Sequence, residues 1–415
     1  MMRILSLTAV LTVTACGADH DRQQTSSIAA DTSYQETLLT QLIDASPGDV
    51  IEIPEGVFAF DRSLSLTVDG VTIRGQGMDK SILTFKNQVT GAEGLLVTAN
   101  DFTIEDLAIE DPKGDALKVT DGENIIIRRV RTEWTGGPKT ENGAYGIYPV
   151  QTKNVLMEEN VAIAAADAGL YIGQSQNVIV RNNRAEYNVA GIEIENTIGA
   201  DVYGNVATNN TGGILVFNMP NLSQRGARTR VFNNEIYENN TKNFGHAGTP
   251  VASVPAGSGV VVTSNDEVEI FENDIRDNRT ANIIVSSVYS TNFSDDGASA
   301  EFDPYPETIY IYDNTLAGGG DNPDGLELKA LKLALAGPLG ALPDVLWDGY
   351  ANTELLVDNA MPAPYRICIQ NGDIEVLNAD GPNGNANPRR ESAMNEYNCN
   401  HEKLPAIALT GPLAE

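Results

Sequence analysis

DAGLYIGQSQNVIVRNNRAEYNVAGIEIEN, Asp167 to Asn196, states one pattern twice. Each half starts from an alanine–glycine pair. It passes through a short alternating apolar run and reaches polar corners rich in asparagine. The pattern extends in both directions. Upstream stand DALKVTDGENIIIRRV (Asp115 to Val130) and YGIYPVQTKNVLMEEN (Tyr145 to Asn160). Downstream come AGIEIENTIGADVYGN (Ala190 to Asn205) and GGILVFNMPNLSQRG from Gly212. Copies beginning at Tyr145, Ala168 and Ala190 are 23 and 22 residues apart (168 − 145 and 190 − 168). ARTRVFNNEI, GSGVVVTSNDEVEIFENDI and ETIYIYDNTL repeat it after insertions, and GVTIRGQGMDKSILTF and LLVTANDFTIEDLAI are looser versions upstream.

A period of this length marks a solenoid. A leucine-rich repeat would show spaced leucines beside a fixed asparagine, and neither is present. Short alternating runs parted by Gly, Asn and Asp read instead as several short strands per turn. The expected class is therefore all-β, a parallel β-helix in which stacked coils bury a continuous apolar column. Crossover sterics favour the right hand. The asparagines at 160, 183, 205, 234, 273 and 314 are expected at one structural corner, where asparagine tolerates left-handed backbone and bonds locally. Uncovered end coils would expose pairing edges. Residues 33–49 carry Leu38, Leu39, Leu42 and Ile43 at helical spacing and predict an amphipathic N-terminal cap helix. Residues 315–415 are expected to supply the last coil or coils and a C-terminal cap, after a β-helix over 34–314.

Hydrophobic residues make up 41% of the 415-residue chain, enough for a sizeable core, and 38 glycines suit close-stacked strands. The formal net charge is −30. Such a chain has no basic surplus to displace counterions, which argues against nucleic acid as a partner.

The first residues, MMRILSLTAVLTVTACGAD, combine Arg3, a short apolar stretch and Cys16. This is a secretory signal over 1–15, too short for a membrane span. Its end resembles a bacterial lipobox, which implies lipidation of Cys16; an ordinary secretion signal with an incidental cysteine is the alternative. Gly17 in place of Asp implies outer-membrane residence by the same resemblance. Membrane contact would then run through the lipid alone, with 16–33 as a flexible tether. Cys368 and Cys399 remain, and in an oxidising compartment they are expected to pair. Two separate thiols is the alternative; their spacing with His401 matches no compact metal motif.

Alternation sorts each glycine-led strand by face. Leu117, Ile147, Leu170, Ile192, Ile214 and Val260 form an inward column. Between them and the next inward column, Lys118, Tyr148, Tyr171, Glu193, Leu215 and Val261 point outward. The second outward column reads Thr120, Val150, Gly173, Glu195, Phe217 and Thr263. Lysine, tyrosines and glutamates stacked on one wall form a candidate site. Lys118, Tyr148, Tyr171 and Glu193 are the candidate catalytic groups, the first three as base or acid next to a uronate carboxylate. Trp134, Tyr145, Gln151, Asp167, Gln174, Glu195 and Asn218 are candidate ligand contacts, because aromatic faces stack on sugars while amides and carboxylates bond hydroxyls. Arg128, Arg129, Arg131 and Arg181 are candidate sources of positive charge. No cofactor is required. Ca²⁺ is the candidate ion, at Asp167, Glu193 and Glu195. Glu193 and Glu195, about 7 Å apart on one strand face, also suit a hydrolytic carboxylate pair. Cross-strand packing of the same residues is the structural alternative.

The run from Glu133 to Phe217 resembles a family of exported bacterial proteins with parallel β-helix repeats, and the resemblance covers roughly 45–410. More distantly the chain resembles the pectin-lyase-like superfamily, which includes alginate epimerases and lyases. The resemblance implies a right-handed β-helix and a polysaccharide as ligand or substrate. It does not extend to the Asp-Pro-His-Asp motif of the epimerases: the nearest run, Asp111-Pro112-Lys113-Gly114-Asp115, lacks the histidine. The chain is expected to be an envelope lipoprotein that binds and modifies a polysaccharide by lyase- or epimerase-type uronate chemistry, or else a non-catalytic envelope protein that binds a partner protein or acts as a scaffold.

Overall fold

The computed structural model describes residues 30–291, 298–299 and 302–414. The stretch read as a secretory signal and the lipidation candidate Cys16 lie outside the described residues. No helix among them is long and apolar enough to cross a membrane.

Short strands stack in parallel into two sheets, one of 12 strands and one of 19. Each regular coil contributes three strands, as in Ala168–Gly173, Gln176–Arg181 and Arg184–Glu186. The first joins the 12-stranded sheet; the other two join adjacent parts of the larger one. Pairing is in register: Leu170 lies beside Ile147 and Ile192, and Tyr171 beside Glu193. The inward columns expected from alternation are the solenoid core, with Leu117, Ile147, Leu170, Ile192, Ile214 and Val260 all fully buried. A coil alone would leave these side chains in water, so each is stabilised only by its neighbours.

The corners are held by asparagine. The Asn183 side-chain carbonyl accepts from both the Asn160 backbone N–H and the Asn160 Nδ2, at 2.9 and 3.0 Å. The Asn160 Nδ2 also donates to the Ile127 carbonyl. The same unit repeats through Asn205, Asn234, Asn273 and Asn314 and ends on Asn371. A second ladder, Asn188–Asn210–Asn239–Asn278, lines the next corner. The ladder residues do not themselves adopt left-handed backbone. From Asn160 to Asn314 the residue before each does: Glu159, Asn182, Asn233, Glu272 and Asp313 have φ between 52° and 57°, and Gly204 has 65°. The corner thus separates two tasks, the strained turn at one position and the hydrogen bonds at the next.

Helix α1 (Tyr34–Ile43) closes the N-terminal end by burying Leu38 and Leu42. Beyond Asn314 the ladders continue through Val345–Trp347, Ile367–Gln370 and Glu375–Asn378. Arg389–Ser392 then pairs antiparallel and ends the 12-stranded sheet. Cys368 and Cys399 form the disulfide. The chain after it does not stay at the end: it runs back along the larger sheet. The backbone N–H groups of Leu404, Ile407 and Thr410 donate to Glu269, Asp201 and Asn154, on successive parts of the stack. Leu409 packs on Leu156 and Ile179.

Removing one ladder side chain strands several buried backbone and amide groups. Asn205→Ala is expected to lower unfolding free energy by about 3 kcal/mol, read from urea denaturation. A loss below about 0.5 kcal/mol would show that the ladder follows the stack and does not hold it.

Candidate functional site

The outward columns of the 12-stranded sheet fall in the register expected, but from Tyr171 and Glu195 onward they are largely closed to solvent. Tyr171 is 3% exposed, Glu193 2% and Leu215 0%. Insertions between coils fold over them and build a second apolar cluster outside the solenoid. Val251 and Val254 from one insertion, Leu342 from another, and Leu328, Leu331 and Leu335 of α2 (Leu326–Ala336) pack toward Leu215, Phe217 and Val261.

At the N-terminal end of this covered strip sits a knot of tyrosines and carboxyls. Rings of Tyr145, Tyr148 and Tyr171 lie 4.3 to 4.8 Å apart, centroid to centroid. The Tyr171 hydroxyl donates to Glu195, and Tyr145 stands near enough to Asp167 to offset part of the effect of burial on its carboxyl. The Glu193 Oε2 has no hydrogen-bond partner among the described residues. Burial, with Glu195 close by, pushes Asp167 up to about 8. Burial also raises Glu193, which faces Asp167 and Glu195, and raises Glu195. A carboxyl in such surroundings loses more by giving up water than it gains from neighbours, so it keeps its proton. The tyrosines move the same way, Tyr148 up to about 12. Lys118, half-exposed at the edge, stands 4.9 Å from the Tyr148 ring centroid.

Other candidates are placed elsewhere. Trp134, expected beside the strip, is a core residue, 4% exposed, with its indole N–H on the Pro112 carbonyl. Its ring is too large to leave outside the stack at that corner without losing core contacts. Asn218 is buried and closes a loop by exchanging hydrogen bonds with Gly226. Gln174 accepts from Ser223 and anchors the same loop. Gln151 stays exposed at a left-handed corner. The arginines lie on the other sheet. Arg128 pairs with Glu105, Arg129 with Asp106, Arg131 with Glu110 and Arg181 with Glu158, at 2.7 to 2.9 Å. They offer nothing to a ligand on the strip. Asp167, Glu193 and Glu195 do not make a calcium site: among the described residues no three His, Cys, Asp or Glu are disposed to hold a metal.

The open feature of this face is a groove of about 780 Å³ further along the same columns. Phe217, Val261, Thr263 and Ile284 belong to its floor, one, two and three strands beyond Glu193 and Glu195. Tyr289, Tyr350, Asp324 and Glu327 line it from the insertions. Asp348, buried beneath, accepts from the Ser287 N–H, from the Ser287 and Ser290 hydroxyls and from the Tyr350 N–H. It fixes the turn that carries Tyr289 and the start of the segment that carries Tyr350. No Lys, Arg or His lines the groove among the described residues. Sequence reading passed over these wall residues because they lie in insertions that break the repeat. The widening interval between ladder asparagines, from 23 residues to 29, 39 and 41, is the signal that marks where they enter.

Residues 56–227 match the family model of the right handed beta helix region. The chain is an all-β parallel β-helix, and the residues matched are those of a right-handed one. No curated protein matches it significantly. Among solved structures it is similar to the A-module of Azotobacter vinelandii mannuronan C-5 epimerase AlgE6, with 18% identity, 71% of this chain and 84% of that chain covered, and a TM-score of 0.45. It is also similar to DFA-IIIase from Arthrobacter chlorophenolicus A6 (13% identity, 80% and 92% covered, TM-score 0.42) and to alginate lyase from Paenibacillus sp. str. FPU-7 (13%, 70% and 96%, 0.35).

The buried carboxyls make stability depend on pH. The folded chain holds protons on Asp167, Glu193 and Glu195 that the unfolded chain releases near pH 4. Stability is therefore full below about pH 4 in this respect and falls as pH rises toward about 8, where Asp167 ionises in the fold. The melting temperature is expected to drop between about pH 5 and 8, and Glu193→Gln to make the drop shallower. A rising melt over that range, or a slope indifferent to the substitution, contradicts a neutral cluster.

Proposed function

We propose that this chain binds a neutral, extended polysaccharide in the groove on its 12-stranded sheet, as an envelope protein anchored through a lipid on Cys16. The observation that supports the reading is the make-up of the groove. A cleft of about 780 Å³ on successive strands is walled by Tyr289 and Tyr350, rimmed by Asp324 and Glu327, and free of basic side chains among the described residues. Aromatic faces pack on the apolar faces of sugar rings, and carboxylates and amides take hydroxyl donors. A polyuronate would meet these acids with nothing to neutralise its own charge, in a chain that already carries −30. Proton abstraction beside a uronate carboxylate needs a cation or strong donors at that carboxylate. The arginines that would supply them are paired on the other sheet.

A second reading, a protein partner, draws on one observation. Leu326 and Leu333 of α2 are 87% and 60% exposed, and Leu339 just after it 99%. This apolar rim beside the groove suits a protein surface better than a glycan.

Affinity electrophoresis separates the readings. Neutral glucans, galactans and mannans in the gel are expected to retard the protein, with alginate and polygalacturonate leaving it unmoved. Tyr289→Ala should weaken the retardation about tenfold, the loss of one stacking contact, with the melting temperature unchanged. Retardation by the polyuronates instead, with deuterium entering C5 in D₂O, would replace neutral binding by uronate chemistry. Indifference to every glycan would leave the protein partner.

A further inference from the structure

The groove on the 12-stranded sheet keeps most of its polar side chains engaged within the protein. On its floor the Thr263 and Ser286 hydroxyls bond each other at 2.9 Å, and Ser286 donates to the Val262 carbonyl. The Ser253, Ser290 and Thr291 hydroxyls donate to the Pro250 carbonyl, to Asp348 and to the Val288 carbonyl. The Asn243 amide nitrogen donates to the Val251 and Val254 carbonyls, and its oxygen accepts from the Gly245 N–H. The Tyr350 hydroxyl donates to the Gly381 carbonyl. The surface left to a ligand on the floor is apolar. Phe217, Val261, Ile284 and Leu346 point outward on four successive strands and line the groove, 4%, 5%, 7% and 7% exposed. Only the ends of these side chains show, so the floor suits small apolar groups. A sugar hydroxyl turned toward it would give up water for groups that are already hydrogen-bonded, at a cost in affinity.

We propose that the groove selects an O-acetylated neutral glycan, with acetyl methyl groups on the floor and unsubstituted hydroxyls donating to Asp324 and Glu327 at the rim. Acetylation replaces a hydroxyl, which needs a partner, by an ester whose carbonyl is a weak acceptor and whose methyl is apolar. The floor can cover that group without stranding a donor. Charge agrees with this choice: an acetyl ester adds none, whereas a carboxylate substituent would meet Asp324 and Glu327 with no basic side chain lining the groove among the described residues. An N-acetyl group fits less well, because its amide carbonyl is a strong acceptor and the floor hydroxyls are already donated. A long acyl chain needs a deeper slot than the ends of Val261 and Ile284 provide. These two side chains are then specificity-determining: they make no polar contact and act only through the methyl. The inference rests on the glycan reading of the groove and names the substituent that the groove selects.

The test uses manno-oligosaccharides of one chain length in three forms: O-acetylated, saponified in mild alkali, and saponified then re-acetylated. Binding to the protein is measured by isothermal titration calorimetry. The acetylated and re-acetylated forms are expected to bind about tenfold more tightly than the saponified one. Val261→Thr puts a hydroxyl on the floor at nearly unchanged volume and is expected to narrow that ratio to about threefold. Both ligands are measured on the same folded variant, so the ratio reports the floor and not the stability of the chain. Equal binding of the acetylated and saponified forms overturns acetyl selection and leaves the glycan reading of the groove standing. Binding of no form removes that reading and this inference with it. Tighter binding of N-acetylated chito-oligosaccharides of the same length, or of octyl glucoside, overturns the assignment to an acetyl ester. A ratio indifferent to both Val261→Thr and Ile284→Thr overturns the role of the floor.

Discussion

The structure depends on the asparagine ladders. A parallel stack of short strands has no hairpin turns to set its register, and a slip of one residue would turn every inward side chain out. The amide solves this at the corner. Its oxygen takes two donors from the coil before, and its nitrogen donates back to a strand carbonyl, so one side chain fixes the height and the phase of each coil. With both corners fixed in this way, the columns on every face run straight along the molecule, and the strip, the groove and the ion-pair rows of the larger sheet follow from that straightness.

Straight columns let a strip change character without changing place. The outward column that begins with Lys118 and Tyr148 passes through Tyr171 and Glu193 and becomes Leu215, Val261 and Ile284. Insertions growing between the later coils cover its apolar stretch, and the cover reaches back over the carboxyls. Desolvation then outweighs every other influence on Asp167 and Glu193. Asp167 and Glu193, read as part of a reactive surface, are thereby raised well above the usual carboxyl range, while the groove opens where the cover parts. Charge is divided between faces on the same logic: the arginines of the larger sheet face carboxylates one coil away, and the groove is left acidic and aromatic.

Near neighbours explain what was legible. The repeat, the inward columns, the cap helix and the register of the outward columns are encoded by residues close in sequence or one period apart. Alternation and spacing place them. The pairing of Cys368 with Cys399 followed from counting thiols in an oxidising compartment. Trp134, Asn218 and Gln174 were misplaced because each is fixed by a contact that no local pattern announces: an indole bond to Pro112, a loop closed on Gly226, a clasp on Ser223. Tyr289, Tyr350 and Leu346 were not singled out. They lie in insertions or at the end of the stack, where the period that organises the rest has lapsed.

The sequence by itself determined a β-helix, its repeat length, its core columns and the order of side chains along each outward column. These properties recur every coil and need only backbone pairing and alternation to be read. Only the tertiary structure decided which part of the outward strip meets solvent. That depends on how far each insertion travels and what it packs against, and a long loop closes at an entropic cost that varies too weakly with its length to dictate where it lands.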